Sequence, residues 1–187
     1  MVKTICIFGS YKDLSKKEKE EIVRLGKLLA QRGATVISGG FGGTMEDISR
    51  GAKSAGGKTI GVTWYKWEKP IYKGANAFID EEIVADTLFE RIEIMLKKAD
   101  AFIVLSGGTG TLLELSAVLE HLNKGLINPK PIIMLGDFWK PALTCLKKEP
   151  VLSEKTKNKR KISYCDELVT FAKTVDECKD ILEKWIV

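Results

Sequence analysis

Ser106-Gly107-Gly108-Thr109-Gly110-Thr111-Leu112-Leu113-Glu114 is the stretch on which the reading of this chain turns. The apolar run Ala101-Phe102-Ile103-Val104-Leu105 leads into it, and an apolar-periodic segment from Leu112 to Leu122 leaves it. It therefore reads as a strand, a glycine loop and the start of a helix. Glycines at 107, 108 and 110 let the backbone approach a ligand closely. The free N–H groups of the following helix, together with its positive end, then form a phosphate site. Glu114 falls about one turn inside that helix, where an apolar core needs no acid.

Working outward, Thr4 to Phe8 is a short apolar strand that ends at Gly9-Ser10. Ser15 with Glu18 reads as a capping box, and Ile22, Leu25, Leu28 and Leu29 give the helix behind it an apolar stripe that ends at Gly33. Thr35 to Ile37 is a second strand, and it feeds another glycine loop, Ser38-Gly39-Gly40-Phe41-Gly42-Gly43-Thr44-Met45. A helix from Glu46 to Ala55 and a strand from Thr59 to Val62 follow. Trp64 to Asp80 has no clean period and reads as a long connection able to cover a ligand or line a dimer seam. Leu88, Ile92, Met95, Leu96 and Ala99 share one helical face from Asp86 to Lys98. Pro131 to Leu135 and Leu168 to Phe171 are further strands, with a short helix from Trp139 to Lys148 between them. Thr174 and Glu177 cap a closing helix.

Strands alternating with helices predict a Rossmann-like, doubly wound, mostly parallel α/β sheet with helices on both faces, as a single domain over residues 1–187. Right-handed crossovers give the strand order 3-2-1-4-5. Ligand binding then belongs at the carboxyl ends of strands 1 and 4, where Gly9-Ser10 and both glycine loops open together. Neither loop has the order of a P-loop, and strict dinucleotide spacing fails.

Composition narrows the function classes. The 187 residues are 44% hydrophobic and 29% charged, with a formal net charge of +5. Seven basic and two acidic residues lie between Lys147 and Lys161, so that segment carries the whole excess. It reads as a solvated flap or a phosphate-steering edge, and without interleaved aromatics nucleic acid is not favoured. Cys6, Cys145, Cys165 and Cys178 are widely spaced, as expected of free, mostly buried thiols in a cytoplasmic protein. No run is long and apolar enough for a signal peptide or a membrane span. His121, the sole histidine, sits inside a predicted helix, so no Ser-His-Asp triad is available. Asp47, Asp100 and Glu114 could supply oxygen ligands, but nothing in their spacing favours a metal. What remains is phosphate-binding backbone, Arg91 and Glu114. An arginine can grip a phosphate or stay in a surface ion pair. A glutamate can act as a general base, stabilise an oxocarbenium-like sugar, or merely complement the helix dipole.

At these residues the chain resembles the LOG ("Lonely Guy") family of cytokinin-activating proteins, often mislabelled lysine decarboxylases. The family signature P-G-G-x-G-T-x-x-E stands here as Ser106 to Glu114, with serine in place of proline. Glu90-Arg91-Ile92, Asp100-Ala101-Phe102, Ser38 to Met45 and Gly9-Ser10 extend the match over essentially the whole chain. The resemblance implies a homodimer, without organic cofactor, that hydrolyses a nucleoside 5'-monophosphate to free base and ribose 5-phosphate. It implies Arg91 and Glu114 as the catalytic pair, with Gly107, Gly108, Thr109, Gly110 and Thr111 holding the phosphate. Gly9, Ser10, Gly39, Gly40 and Gly43 then shape the nucleotide pocket. A non-catalytic nucleotide-binding module is the alternative. Ile92 in place of lysine and Leu113 in place of a second glutamate leave the preferred base open.

Overall fold

The computed structural model describes residues 3–12, 14–64 and 74–186. Seven strands form one sheet in these residues: β1 (Thr4–Phe8), β2 (Thr35–Ser38), β3 (Thr59–Trp64), β4 (Glu81–Ala85), β5 (Ala101–Val104), β6 (Ile132–Leu135) and β7 (Thr170–Ala172). Their order is β4-β3-β2-β1-β5-β6-β7, and every pairing is parallel. The predicted order 3-2-1-4-5 holds as β3-β2-β1-β5-β6. The winding reverses at β1, whose neighbours are β2 and β5, so the crevice opens above that pair.

Parallel strands need covering on both faces, and the helices divide accordingly. The helices α1 (Lys16–Gln31), α2 (Thr44–Ser54), α3 (Leu88–Lys98), α4 (Thr109–Asn123), α5 (Lys140–Leu143), α6 (Glu154–Arg160) and α7 (Val175–Ile186) complete the fold. Ile5, Ile7, Val36 and Ile103 pack toward α1, α2 and α7 on one face. Cys6, Phe8, Ile37, Val62, Phe102 and Val104 pack toward α3 and α4 on the other. Ser15 does form the capping box with Glu18.

Two expectations are corrected. Glu81–Ala85 is an edge strand paired with β3, where the sequence suggested no element. Its two leading glutamates and half-exposed alternation suit an edge, and charge there discourages pairing with another chain. The connection expected over Trp64 to Asp80 lies outside the described residues at 65–73. The basic segment is not a flap. Ser153 caps α6, and the fully buried Thr156 donates to the Leu122 carbonyl at 2.8 Å. Arg160 donates to the Lys130 and Leu168 carbonyls at 3.1 and 2.8 Å and lies 5.4 Å from the Trp185 ring. The Thr156 anchor sits at the carboxyl end of α4, about 22 Å from the glycine loop at its other end. The segment therefore cannot steer a phosphate at that loop through contact.

Arg160 and its neighbours supply a direct test. Replacing Arg160 with Ala removes two charge-assisted bonds and lowers stability by about 2–3 kcal/mol, or about 5–10 °C in Tm. Lys159→Ala, at an exposed position, stays within about 0.5 kcal/mol. Thermal unfolding of the two variants beside the parent measures the contrast.

Candidate functional site

Arg91 lies in the first turn of α3 and Glu114 in the second turn of α4, and both side chains turn inward over the end of β3. They are 6% and 7% exposed. The guanidinium is fixed at three places. Its Nε donates to the Val62 carbonyl at 2.6 Å, its Nη1 lies 3.3 Å from Glu114 Oε1, and its face covers the Phe41 ring at 5.5 Å. Among the described residues Glu114 Oε2 accepts no hydrogen bond, so one carboxylate oxygen stays available. Burial pushes the Glu114 carboxyl up to about 7, against the pull of the Arg91 charge and its hydrogen bond. The surface ion pair considered for Arg91 does not occur.

Both residues were detectable as members of a buried stripe. Arg91 is three residues after Leu88 and four before Met95. Glu114 is three after Thr111 and four before Val118. A charged residue on an inward helical face is the informative exception.

The three loops meet around this pair through two threonines. Thr111 donates from Oγ1 to the Gly9 carbonyl at 2.9 Å. Thr44 bonds the Ser10 carbonyl with both its N–H and its Oγ1, at 2.9 and 3.0 Å. Each threonine follows the last glycine of its loop, so the turn after β1 is clasped to the starts of both α2 and α4. Gly43 has φ +67°, and a side chain there would strike the Ser10 carbonyl at 2.5 Å. Gly39 backs the arginine: a Cβ added there would stand 1.7 Å from Arg91 Nη2. Gly107 lies against Thr111, while Gly108 and Gly110 face open space. The Gly40 carbonyl accepts two bonds from Asn76, at 2.8 Å from N and 3.0 Å from Nδ2, and the Phe41 carbonyl accepts a third at 2.9 Å. Thr44 and Asn76 thus hold the site in shape, roles that glycine content alone could not show.

The helix starts differ in a telling way. Serine or threonine side chains cap α1, α3 and α6. By contrast α2 and α4 begin at Gly43 and Gly108 with no side-chain cap. Of these two, α2 carries Glu46 and Asp47 in its first turn and α4 carries no acid there. An anion is therefore favoured at α4 alone, beside Gly107–Thr111. Among the described residues no cluster of His, Cys, Asp and Glu could hold a metal, and no helix is long and apolar enough to cross a membrane.

A parallel sheet wound in both directions from β1, with helices on both faces, defines a Rossmann-like protein, and its reversal point carries an uncapped helix start and a buried arginine–glutamate pair. The chain belongs to the SLOG cluster4 family, whose sequence pattern matches residues 2–171. It is related to the LOG-type phosphoribohydrolases. The cytokinin riboside 5'-monophosphate phosphoribohydrolase of Mycobacterium tuberculosis is 35% identical over 138 residues, covering 73% of this chain and 71% of that one. An uncharacterised Archaeoglobus fulgidus protein is 34% identical over 113 residues, covering 60% and 72%. Among solved structures, the molybdenum cofactor binding protein of Rippkaea orientalis superposes with a TM-score of 0.73 at 25% identity, covering 100% of this chain and 99% of that one. That likeness extends the shared fold to the whole chain.

The geometry makes a titration prediction. Arg91 holds the Glu114 carboxyl down, so Arg91→Met moves its midpoint above 7. Carboxyl-labelled glutamate followed by NMR across pH 5 to 9 reads the shift. A midpoint unchanged or lowered in the variant contradicts the pairing.

Proposed function

We propose that this protein hydrolyses the N-glycosidic bond of a nucleoside 5'-monophosphate, releasing free base and ribose 5-phosphate. The observation that carries the reading is the buried Arg91–Glu114 pair beside the uncapped start of α4. A phosphate on the N–H groups of Gly107–Thr111 puts the attached ribose within reach of the pair, one helical turn further along. Gly9, Ser10, Gly39, Gly40 and Gly43 form the surrounding walls. The relatedness to phosphoribohydrolases supports the same substrate class.

The chemistry follows from the charges. As the bond from C1' to the base nitrogen breaks, positive charge grows on the sugar, and the Glu114 carboxylate stabilises it. Oε2 accepts a proton from the attacking water, whose oxygen bonds to C1'. That proton then goes to the departing base nitrogen, so Glu114 ends as it began. Arg91 keeps Glu114 ionised enough to act and fixes its orientation. A carboxyl with a midpoint near 7 can both take and return a proton at neutral pH.

A homodimer is part of the proposal. Phe89 on α3 is 73% exposed and Val84 on the adjoining edge strand is 56% exposed, so apolar surface lies open next to the site. Native mass spectrometry at micromolar concentration gives twice the chain mass if this face is an interface.

Incubation with a panel of nucleoside 5'-monophosphates, followed by chromatography of free base, tests the activity. Glu114→Gln lowers kcat by about 10²–10⁴-fold. Gly39→Ala displaces the Arg91 guanidinium and lowers kcat/KM while leaving the circular-dichroism spectrum intact. Because the ionised carboxylate is the active form, kcat falls as pH drops below about 7. Intact nucleotide that is bound and never cleaved across the panel replaces the hydrolase with a binding module.

A further inference from the structure

Trp64 closes β3, and its indole Nε1–H is sealed from solvent with no hydrogen-bond partner among the described residues. Native folds leave few such donors, because a buried one has given up its water and gained nothing in return. Strand alternation puts Trp64 on the same face of the sheet as Val62, two residues earlier, and Val62 packs toward α3 and α4. The Val62 carbonyl is the group that holds Arg91 Nε. Trp64 therefore lies about 7 Å further along the strand than the anchor of the buried pair. Polar groups beside it are committed elsewhere. The Val62 carbonyl has the arginine, and Glu82 on the neighbouring strand accepts the Thr63 hydroxyl at 2.6 Å on the opposite face.

The strand order indicates what could reach this donor. A phosphate belongs at the start of α4, which follows β5, and β3 is three strand spacings away, about 14 Å across the edge. A nucleotide laid in that direction has its phosphate at β5, its ribose at Arg91 and Glu114, and its base beyond them at the end of β3. The edge of every nucleobase carries ring nitrogens or exocyclic oxygens with lone pairs in the plane of the ring. An indole N–H donates and cannot accept, so it fits such an atom.

We infer that Trp64 is a specificity-determining residue of this site, its indole N–H donating to a lone pair on the edge of the bound base. This rests on the nucleotide reading above for the direction in which the ligand lies. Discrimination comes from the penalty. A base that turns a C–H or an N–H toward the indole leaves the buried donor unpaired and is disfavoured. The inference concerns binding and adds no chemical step.

Nitrogen-15 NMR of the full chain reads the indole directly, with the Trp64 resonance assigned by its absence from Trp64→Phe. Glu114→Gln holds nucleotide uncleaved, and AMP, GMP, CMP and UMP are titrated into it in turn. The expected result is a downfield shift of the Trp64 indole proton with the tightest-binding nucleotide and none with ribose 5-phosphate alone. The parent protein given free base and ribose 5-phosphate together shows the same shift, which keeps the test independent of how Glu114→Gln folds. By calorimetry, Trp64→Phe weakens binding of that nucleotide about tenfold or more and keeps ribose 5-phosphate affinity within about twofold. An indole unmoved by every nucleotide, or moved equally by ribose 5-phosphate, overturns the inference. A Trp64→Phe variant that weakens both ligands alike does the same. Base release by the parent is measured alongside. A protein that releases base while its indole stays unmoved refutes only the Trp64 assignment. One whose indole shifts with nucleotide and which releases no base refutes only the hydrolase.

Discussion

A buried ion pair sets the terms for this fold. Removing a guanidinium and a carboxylate from water costs several kcal/mol per ion, and apolar packing at the same position is often no less stable. Burial outweighs the adjacent positive charge here, so the Glu114 carboxyl is pushed up to about 7. Such an arrangement persists only where its surroundings over-determine it. Here the Val62 carbonyl, the Phe41 ring and the missing side chain at Gly39 together leave Arg91 one position. Two helices and two strands of the sheet must keep register for that to hold. The pair is thus a reason for the α3 and α4 packing to be exact to within a hydrogen bond.

The second constraint is electrostatic and belongs to the backbone. Four N–H groups at every helix start need partners, and a capping side chain is the usual one. Side chains cap α1, α3 and α6, and the uncapped starts of α2 and α4 flank the sheet's reversal point. At the far end of α4 the reverse is seen. Asn123 accepts from Leu152 N–H and Ser153 N–H, and Thr156 takes the Leu122 carbonyl. One end of the helix is closed by protein groups and the other has no side-chain cap. The order of the chain makes this possible, because a parallel strand always delivers its following helix start to the carboxyl edge.

Much of this was legible in the chain itself. Apolar runs of three to five residues located β1, β2, β3, β5 and β6, since strands buried on both faces need no alternation. The edge strand Glu81–Ala85 escaped notice because its outer neighbour is solvent and its residues are half polar. The basic segment misled for a related reason. Charge count reports on solvation, yet Arg160 spends its charge on two backbone carbonyls, and burial brings its guanidinium down to about 10. Glycine spacing found the loops, whereas their clasping by Thr44, Thr111 and Asn76 depends on contacts 34 or more residues apart in the chain. Local pattern carries no information about such pairs.

Arg91 and Glu114 are each a polar exception on an apolar helical face. Helical spacing places each on the inward stripe of its helix, which a purely structural role would fill with leucine or alanine. The fold then brings the stripes of α3 and α4 together above one sheet face, so two separate exceptions become a single site. Either residue alone would be a costly buried charge. Together they neutralise one another only in part, because Glu114 Oε2 accepts no bond among the described residues and burial pushes its carboxyl up to about 7. A fully compensated pair would have both oxygens bonded and a carboxyl held low. The open carboxylate oxygen lies one turn from the one helix start in the crevice that has neither a side-chain cap nor an acid in its first turn.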